Sequence, residues 1–272
     1  MAFGYSVTII TSSDGTTWDN RTSGTSNNLP GGTYGNSIFV TVGDIGTILT
    51  SSDAITWTSR TSGTSNKLRG ITYGNSPFVA VGKSGTILTS SDGTSWTSRT
   101  SGTTNDLWGD HYGNSTFVAV GDSGTILTSS DGTSWDNRTS GTSNGLQRVI
   151  FLDTRFRVVG DAGILLSSSD GTSWEISTPL TTANIYGIYN VNSSIVMVGE
   201  SGTIITSLNE GIDWDNRTSG TTNRLYKVTY GNSTFVTVGL SGTVLTSSDN
   251  GTTWTSRTSG TTETLHGIAY KE

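Results

Sequence analysis

Apolar residues in this chain come in short runs, each closed off by small polar residues. Between positions 68 and 99 the runs Leu68-Arg69-Gly70-Ile71-Thr72-Tyr73, Pro77-Phe78-Val79-Ala80-Val81, Thr86-Ile87-Leu88-Thr89-Ser90 and Thr94-Ser95-Trp96-Thr97-Ser98-Arg99 are separated by Gly74-Asn75-Ser76, Gly82-Lys83-Ser84-Gly85 and Ser91-Asp92-Gly93. Runs of about five residues rich in β-branched and aromatic side chains, bounded by Gly, Asn and Asp, predict strands joined by tight turns. No stretch keeps a helical period between caps. The four runs are read as strands A, B, C and D of one antiparallel sheet.

The same unit recurs along the whole chain. Its most regular part, Ser-Asp-Gly followed by Trp, falls near 12–18, 51–57, 90–96, 129–135, 168–174, 207–214 and 247–254, with successive tryptophans 39, 39, 39, 39, 40 and 40 residues apart. Repetition at this period means one supersecondary unit copied, so positions 1–272 are read as a single domain. The copies could form an open solenoid or a ring of blades. Met1-Ala2-Phe3-Gly4 aligns with the end of a strand B, and Leu265-His266-Gly267-Ile268-Ala269-Tyr270 aligns with a strand A. Each end holds what the other lacks, and joining them hides the two edges that an open array would expose. The expected fold is all-β, a seven-bladed β-propeller of four-stranded antiparallel blades closed by a composite blade from both termini.

The turn Ser12-Ser13-Asp14-Gly15-Thr16-Thr17-Trp18 resembles the Asp-box, or BNR repeat, and Ser247-Ser248-Asp249-Asn250-Gly251-Thr252-Thr253-Trp254 resembles its longer form. The surrounding Phe-Val-Ala-Val-Gly-x-x-Gly-Thr-Ile-Leu-Thr pattern is similar to propellers of the photosystem II assembly-factor type. The resemblance implies the propeller fold but not one activity, because such propellers include sialidases, other glycosidases, lectin-like modules and assembly factors.

Seven copies of an acidic motif cannot all be one active site, and turn chemistry explains them. Asp14, Asp53, Asp92, Asp131, Asp170, Asn209 and Asp249 are expected to cap the backbone between strands C and D. Trp18, Trp57, Trp96, Trp135, Trp174, Trp214 and Trp254 are expected to pack between neighbouring sheets. A sialidase, as the resemblance would have it, needs arginines converging on a carboxylate and a Tyr and Glu pair. Arg21, Arg60, Arg99, Arg138, Arg217 and Arg257 instead lie on the outermost strands of six blades, where a solvated or interblade role is expected. None of the five glutamates sits in a strand beside a tyrosine. No catalytic residue and no enzyme activity are expected.

Composition narrows the partners. With 15 Lys and Arg against 21 Asp and Glu, the net charge of −6 argues against nonspecific binding to nucleic acid or an anionic membrane. Zero cysteines and two histidines leave no thiolate or His-rich metal site, and no metal or cofactor is expected. No apolar run approaches membrane-spanning length and no signal peptide is visible at the start, so no membrane insertion is expected, while the compartment stays open.

Against so regular a background, the positions that fail to repeat stand out. The residue after the first apolar residue of strand A reads Pro30, Arg69, Trp108, Gln147, Tyr186, Tyr226 and His266; the residue before it reads Asn28, Lys67, Asp106, Gly145, Asn184, Arg224 and Thr264. The turn from B to C reads Tyr5, Asp44, Lys83, Asp122, Asp161, Glu200 and Leu240. In a propeller the D-to-A connections and the B-to-C turns share one face, so these positions are expected to ring the mouth of the central channel. Drift at unconstrained positions would favour small polar residues, whereas several of these are large and aromatic. Stacking surfaces beside charged and amide groups suit a glycan or a polypeptide. The leading expectation is a monomeric, non-catalytic binding module, with glycan placed slightly ahead of polypeptide. A scaffold or assembly factor that docks a polypeptide, or a recently amplified or designed propeller without an evolved ligand, are the alternatives.

Two local departures remain. Asp110 stands where most copies carry Ile or Val, and a buried carboxylate there is expected to pair with His111. In the fourth copy Arg148, Asp153, Arg155 and Arg157 interrupt the consensus, as a partner-docking patch or as a diverged copy.

Overall fold

A computed structural model describes residues 1–5, 8–14 and 16–269. Seven four-stranded antiparallel sheets form a propeller, one sheet per repeat. Blade 2 is typical, with strand A at Leu68–Tyr73, B at Phe78–Gly82, C at Ile87–Ser90 and D at Thr97–Arg99. Strand D begins at Thr97, later than the sequence pattern suggests, because Trp96 belongs to the turn before it.

Blades 1 to 6 follow in chain order. The seventh pairs the C-terminal strand Leu265–Ile268 with Ala2–Gly4, then Ile9–Thr11 and Asp19–Arg21. Its register sets Ala2 opposite Ile268 and Phe3 opposite Gly267, and the N-terminal amine donates to the Ala269 carbonyl at 2.8 Å. Closure thus pairs the N-terminal strand Ala2–Gly4, which would otherwise be an open edge. Tyr270, assigned by pattern to this strand, lies outside the described residues, as does Gly15 of the first Ser-Asp turn.

Turn chemistry follows the sequence. In the A-to-B hairpins of blades 1 to 4 and 6 two consecutive residues take positive φ, as at Asn36 and Ser37 (47° and 63°) or Asn114 and Ser115 (45° and 57°). This backbone matches the twist of the flanking strands, and Asn tolerates it better than most residues. At the first five Ser-Asp turns the carboxylate accepts backbone N–H groups two and three residues on, as Asp53 does from Ile55 and Thr56, both at 2.8 Å, and in the longer last turn Asp249 accepts from Thr253, four residues on, at 2.9 Å. The bonds from Thr56 and Ile55 hold the Asp53 carboxyl down to about 2. Asn209 fills the same role, accepting from the Asp213 N–H at 2.9 Å.

The core is a set of interblade seams. One seam joins Val40, Val42 and Ile48 of blade 1 to Leu68, Ile71, Phe78, Ala80 and Leu88 of blade 2, with Trp96 packed against it. Trp135, Trp174, Trp214, Trp254, Trp18 and Trp57 lie against the other six seams. The strand D arginines, partly exposed, act inside their own blades, which corrects the interblade half of the expectation. Arg21, Arg60, Arg99, Arg138, Arg217 and Arg257 each donate Nε to a strand C threonine at 2.6–2.9 Å, pinning the outermost strand to its neighbour.

Candidate functional site

The non-repeating position of strand A is also its irregular one. In blades 2 to 6 the A-to-B register slips across Arg69, Trp108, Gln147, Tyr186 and Tyr226, and in the composite blade it slips across His266. A β-bulge leaves one residue without a cross-strand partner and re-aims its side chain. The bulged residues, with Pro30 of blade 1, turn into the channel mouth and line one cavity of about 400 Å³. Tyr5, Lys67, Asp161 and Arg224 join them, whereas Asp44, Lys83, Asp122 and Glu200 do not line it.

Acidic residues around the mouth hold the lining in place. Trp108 Nε1 donates to Asp122 at 2.6 Å and Gln147 Nε2 donates to Asp161 at 3.1 Å. Lys67 pairs with Asp44 at 2.7 Å, Arg69 with Asp106 at 3.6 Å, and Arg224 with Glu200 at 3.1 Å. Each of these three ion pairs joins two neighbouring blades. Much of the variability before strand A and in the B-to-C turns is therefore stitching between blades. Lys83 points to solvent.

Along one arc of the mouth the rings stack on one another: Tyr186 on Tyr226 (centroids 5.7 Å apart), Tyr226 on His266 (4.0 Å) and His266 on Tyr5 (4.2 Å). Opposite, the Arg69 guanidinium lies 3.6 Å from the Trp108 ring centroid, a cation–π contact. Burial, reinforced by Lys67, Arg69 and Arg224, pushes His266 down to about 3, so the imidazole is neutral at pH 7. His266 Nε2 and Arg69 Nε are buried without a hydrogen-bond partner.

One layer deeper the strand A residues read Gly31, Gly70, Gly109, Arg148, Gly187, Lys227 and Gly267. The glycines let adjacent inner strands close up. A Cβ on Gly31 would stand 2.6 Å from the Arg69 carbonyl oxygen, and one on Gly70 would stand 2.4 Å from Asp110 Oδ1. Arg148 and Lys227 break this layer and face the cavity. Protein surrounds both, yet each keeps some contact with the channel, so they are half-buried by exposure.

The expected Asp110–His111 pair does not form, because consecutive strand residues point to opposite sides. Asp110 is 1% exposed and neither of its oxygens makes a hydrogen bond. The Thr72 and Asp110 backbone N–H groups are near enough to favour the charged form slightly, without hydrogen-bond geometry. Burial dominates and raises the carboxyl to about 7, against the pull of Arg148 and Lys227. The fourth-copy patch also divides. Arg148 belongs to the channel, while Arg157 donates to the Leu152 and Glu210 carbonyls, Arg155 pairs with Glu175, and Asp153 accepts from Asn190. Lys227 escaped the sequence reading, although the layer of five glycines was there to expose it. Among the described residues no three His, Asp or Glu side chains are grouped to hold a metal ion.

No protein-family pattern matches the chain, and neither does any curated protein. Solved structures do. YCF48 bound to D1 peptide superposes with a TM-score of 0.73 at 19% identity, over 90% of this chain and 86% of that one. YCF48 from Cyanidioschyzon merolae gives 0.67 at 17% over 86% of each chain. The WD40 beta propeller domain of Doa1 gives 0.69 at 13%, over 94% of this chain and 87% of the other. At these identities the likeness concerns the fold.

Proposed function

We propose that the protein is a non-catalytic, monomeric docking module that receives a polypeptide segment at the channel mouth. The observation that carries this reading is the state of the mouth's own groups. A sugar site needs an open aromatic face and carboxylates or amides free to accept from hydroxyls. Here Tyr226 and His266 are stacked on each other and on Tyr186 and Tyr5, while Asp44, Asp122, Asp161 and Glu200 are engaged by Lys67, Trp108, Gln147 and Arg224. Arg69 lines the cavity with a five-donor guanidinium whose ion pair, to Asp106, is long at 3.6 Å. Peptide carbonyls are acceptors that suit such a donor, and apolar side chains suit the ring edges.

This ranks polypeptide above glycan and reverses the order that the sequence suggested. A propeller of the same fold with a bound peptide adds support. The lining assigned to the ligand is Arg69, Trp108, Gln147, Tyr186, Tyr226, His266 and Tyr5. Screening the purified protein against a displayed peptide library and a glycan array tests the reading. A selected peptide is expected to bind at least tenfold more weakly to Trp108→Ala and Tyr226→Ala, as central aromatic anchors of interfaces commonly do. Glycan binding without any peptide binding would overturn the reading, and unchanged peptide affinity in both variants would overturn the site.

A further inference from the structure

Below the mouth, Arg148 and Lys227 replace glycine in a layer that five other blades keep as glycine. Both face the cavity, and the side chain of neither makes a salt bridge or hydrogen bond among the described residues. Elsewhere the chain pairs its mouth cations with care, as at Lys67, Arg69 and Arg224. An enclosed cation without a counter-charge is costly, and protein interiors normally pair it. Asp110, the carboxylate whose charge couples to both, attracts them through space but touches neither. Burial holds the Lys227 amine well below its ordinary range, and Arg148 pushes in the same direction. The titratable groups that feel the charge of these two cations are Asp110 and His111 of blade 3.

We propose that Arg148 and Lys227 form an oxyanion site inside the channel, taking one carboxylate or phosphate group that enters through the mouth. The chain as a whole is acidic, with a net charge of −6, so this concentration of positive charge is not a consequence of composition. The guanidinium supplies a planar, forked donor and the ammonium supplies a point charge. The two long side chains come from blades 4 and 6 and so approach an ion from different directions. An anion there would supply the counter-charge that both cations lack. The site goes beyond the docking proposal, since a free anion fills it with no polypeptide at the mouth.

The test is isothermal titration with sodium acetate and, separately, sodium phosphate, at an ionic strength held constant with sodium chloride. Saturable binding of at least one anion is expected in the wild type, at least tenfold weaker in Arg148→Gly and in Lys227→Gly. Both changes restore the residue that the other blades carry, so the fold is expected to survive. Arg148→Met and Lys227→Met remove the charge while keeping the bulk and should lose the anion equally. Saturation by acetate alone or phosphate alone keeps the site and identifies the group it takes. Absence of saturable binding by either anion, or unchanged affinity in the glycine variants, overturns the proposal. Peptide binding by Trp108→Ala bears on the mouth and the anion isotherms bear on the channel, so either reading can fail without the other.

Discussion

Asp110→Asn should stabilise the protein at high pH and do little at low pH. An unfolded chain releases the Asp110 proton near its ordinary value of 3.8, whereas the folded chain holds it until about 7. Below 3.8 both states are protonated and the group costs nothing. Between 3.8 and 7 the unfolded state gains by ionising and the folded state does not, so stability falls as pH rises, and above 7 the loss is complete. Three pH units at about 1.4 kcal/mol each make the full loss about 4 kcal/mol. No discount for exposure applies, because the side chain is sealed between Gly70 and the neighbouring inner strands. Asparagine keeps the shape and cannot ionise. Urea unfolding of both proteins between pH 4 and pH 8.5 measures the effect as a difference, in which groups not coupled to Asp110 cancel. The gap between the two stability curves is expected to be small at pH 4, to widen through pH 5 to 7 and to level off near 4 kcal/mol. Parallel curves across the range would refute the reasoning, since they would mean that Asp110 ionises as if it were solvated.

Two further outcomes follow from single residues. Ile45 occupies the left-handed region (φ 54°, ψ 38°) with 67% of its surface exposed, at a turn position where other blades carry Ser84, Ser123, Ala162, Ser201 and Ser241. A β-branched residue is strained there by roughly 1–2 kcal/mol, so Ile45→Gly should stabilise by about 1 kcal/mol in urea unfolding, and a loss of stability would contradict that account. His266 is pushed down to about 3 in the folded chain and titrates near 6.5 when unfolded. The wild type should therefore lose stability as pH falls from 6.5 toward 3, and His266→Gln should lose less. Equal pH dependence of the two melting temperatures would show that His266 is not the source.

Strand count, ring closure and the channel face of the variable strand A positions were legible because they depend on local chemistry and on repetition, whereas most B-to-C turn residues do not line the mouth. Alternating apolar runs gave the strands, and the partial blades at the two ends gave the composite blade. The register slip at Arg69, Trp108, Gln147, Tyr186 and Tyr226 was not legible. A bulge is a property of two paired strands, and neither strand shows it alone. Sequence proximity also misled. Asp110 and His111 are adjacent and point apart, while the charges that act on Asp110 come from Arg148 and Lys227, 38 and 117 positions away. Asp153, Arg155 and Arg157 sit near Arg148 in sequence but end in local pairs away from the channel.

Variation in a repeat protein therefore means different things at different depths. In the turns from B to C, a change of residue is often matched by a partner: Asp44 with Lys67, Asp122 with Trp108, Asp161 with Gln147, Glu200 with Arg224. Such pairs hold the blades and the lining in place, and their variability follows from pairing. In the glycine layer a substitution meets a different constraint, because a side chain there must leave the strand-to-strand contact and enter the channel. Arg148 and Lys227 do so without partners, and Asp110, one position deeper, is buried without hydrogen bonds. Drift at such a layer is disfavoured twice, once by packing and once by desolvation of charge. Two cations and one carboxylate gathered at that depth, in a channel whose mouth is lined by stacked rings and the Arg69 guanidinium, are what a ligand bearing an anionic group would meet on entering.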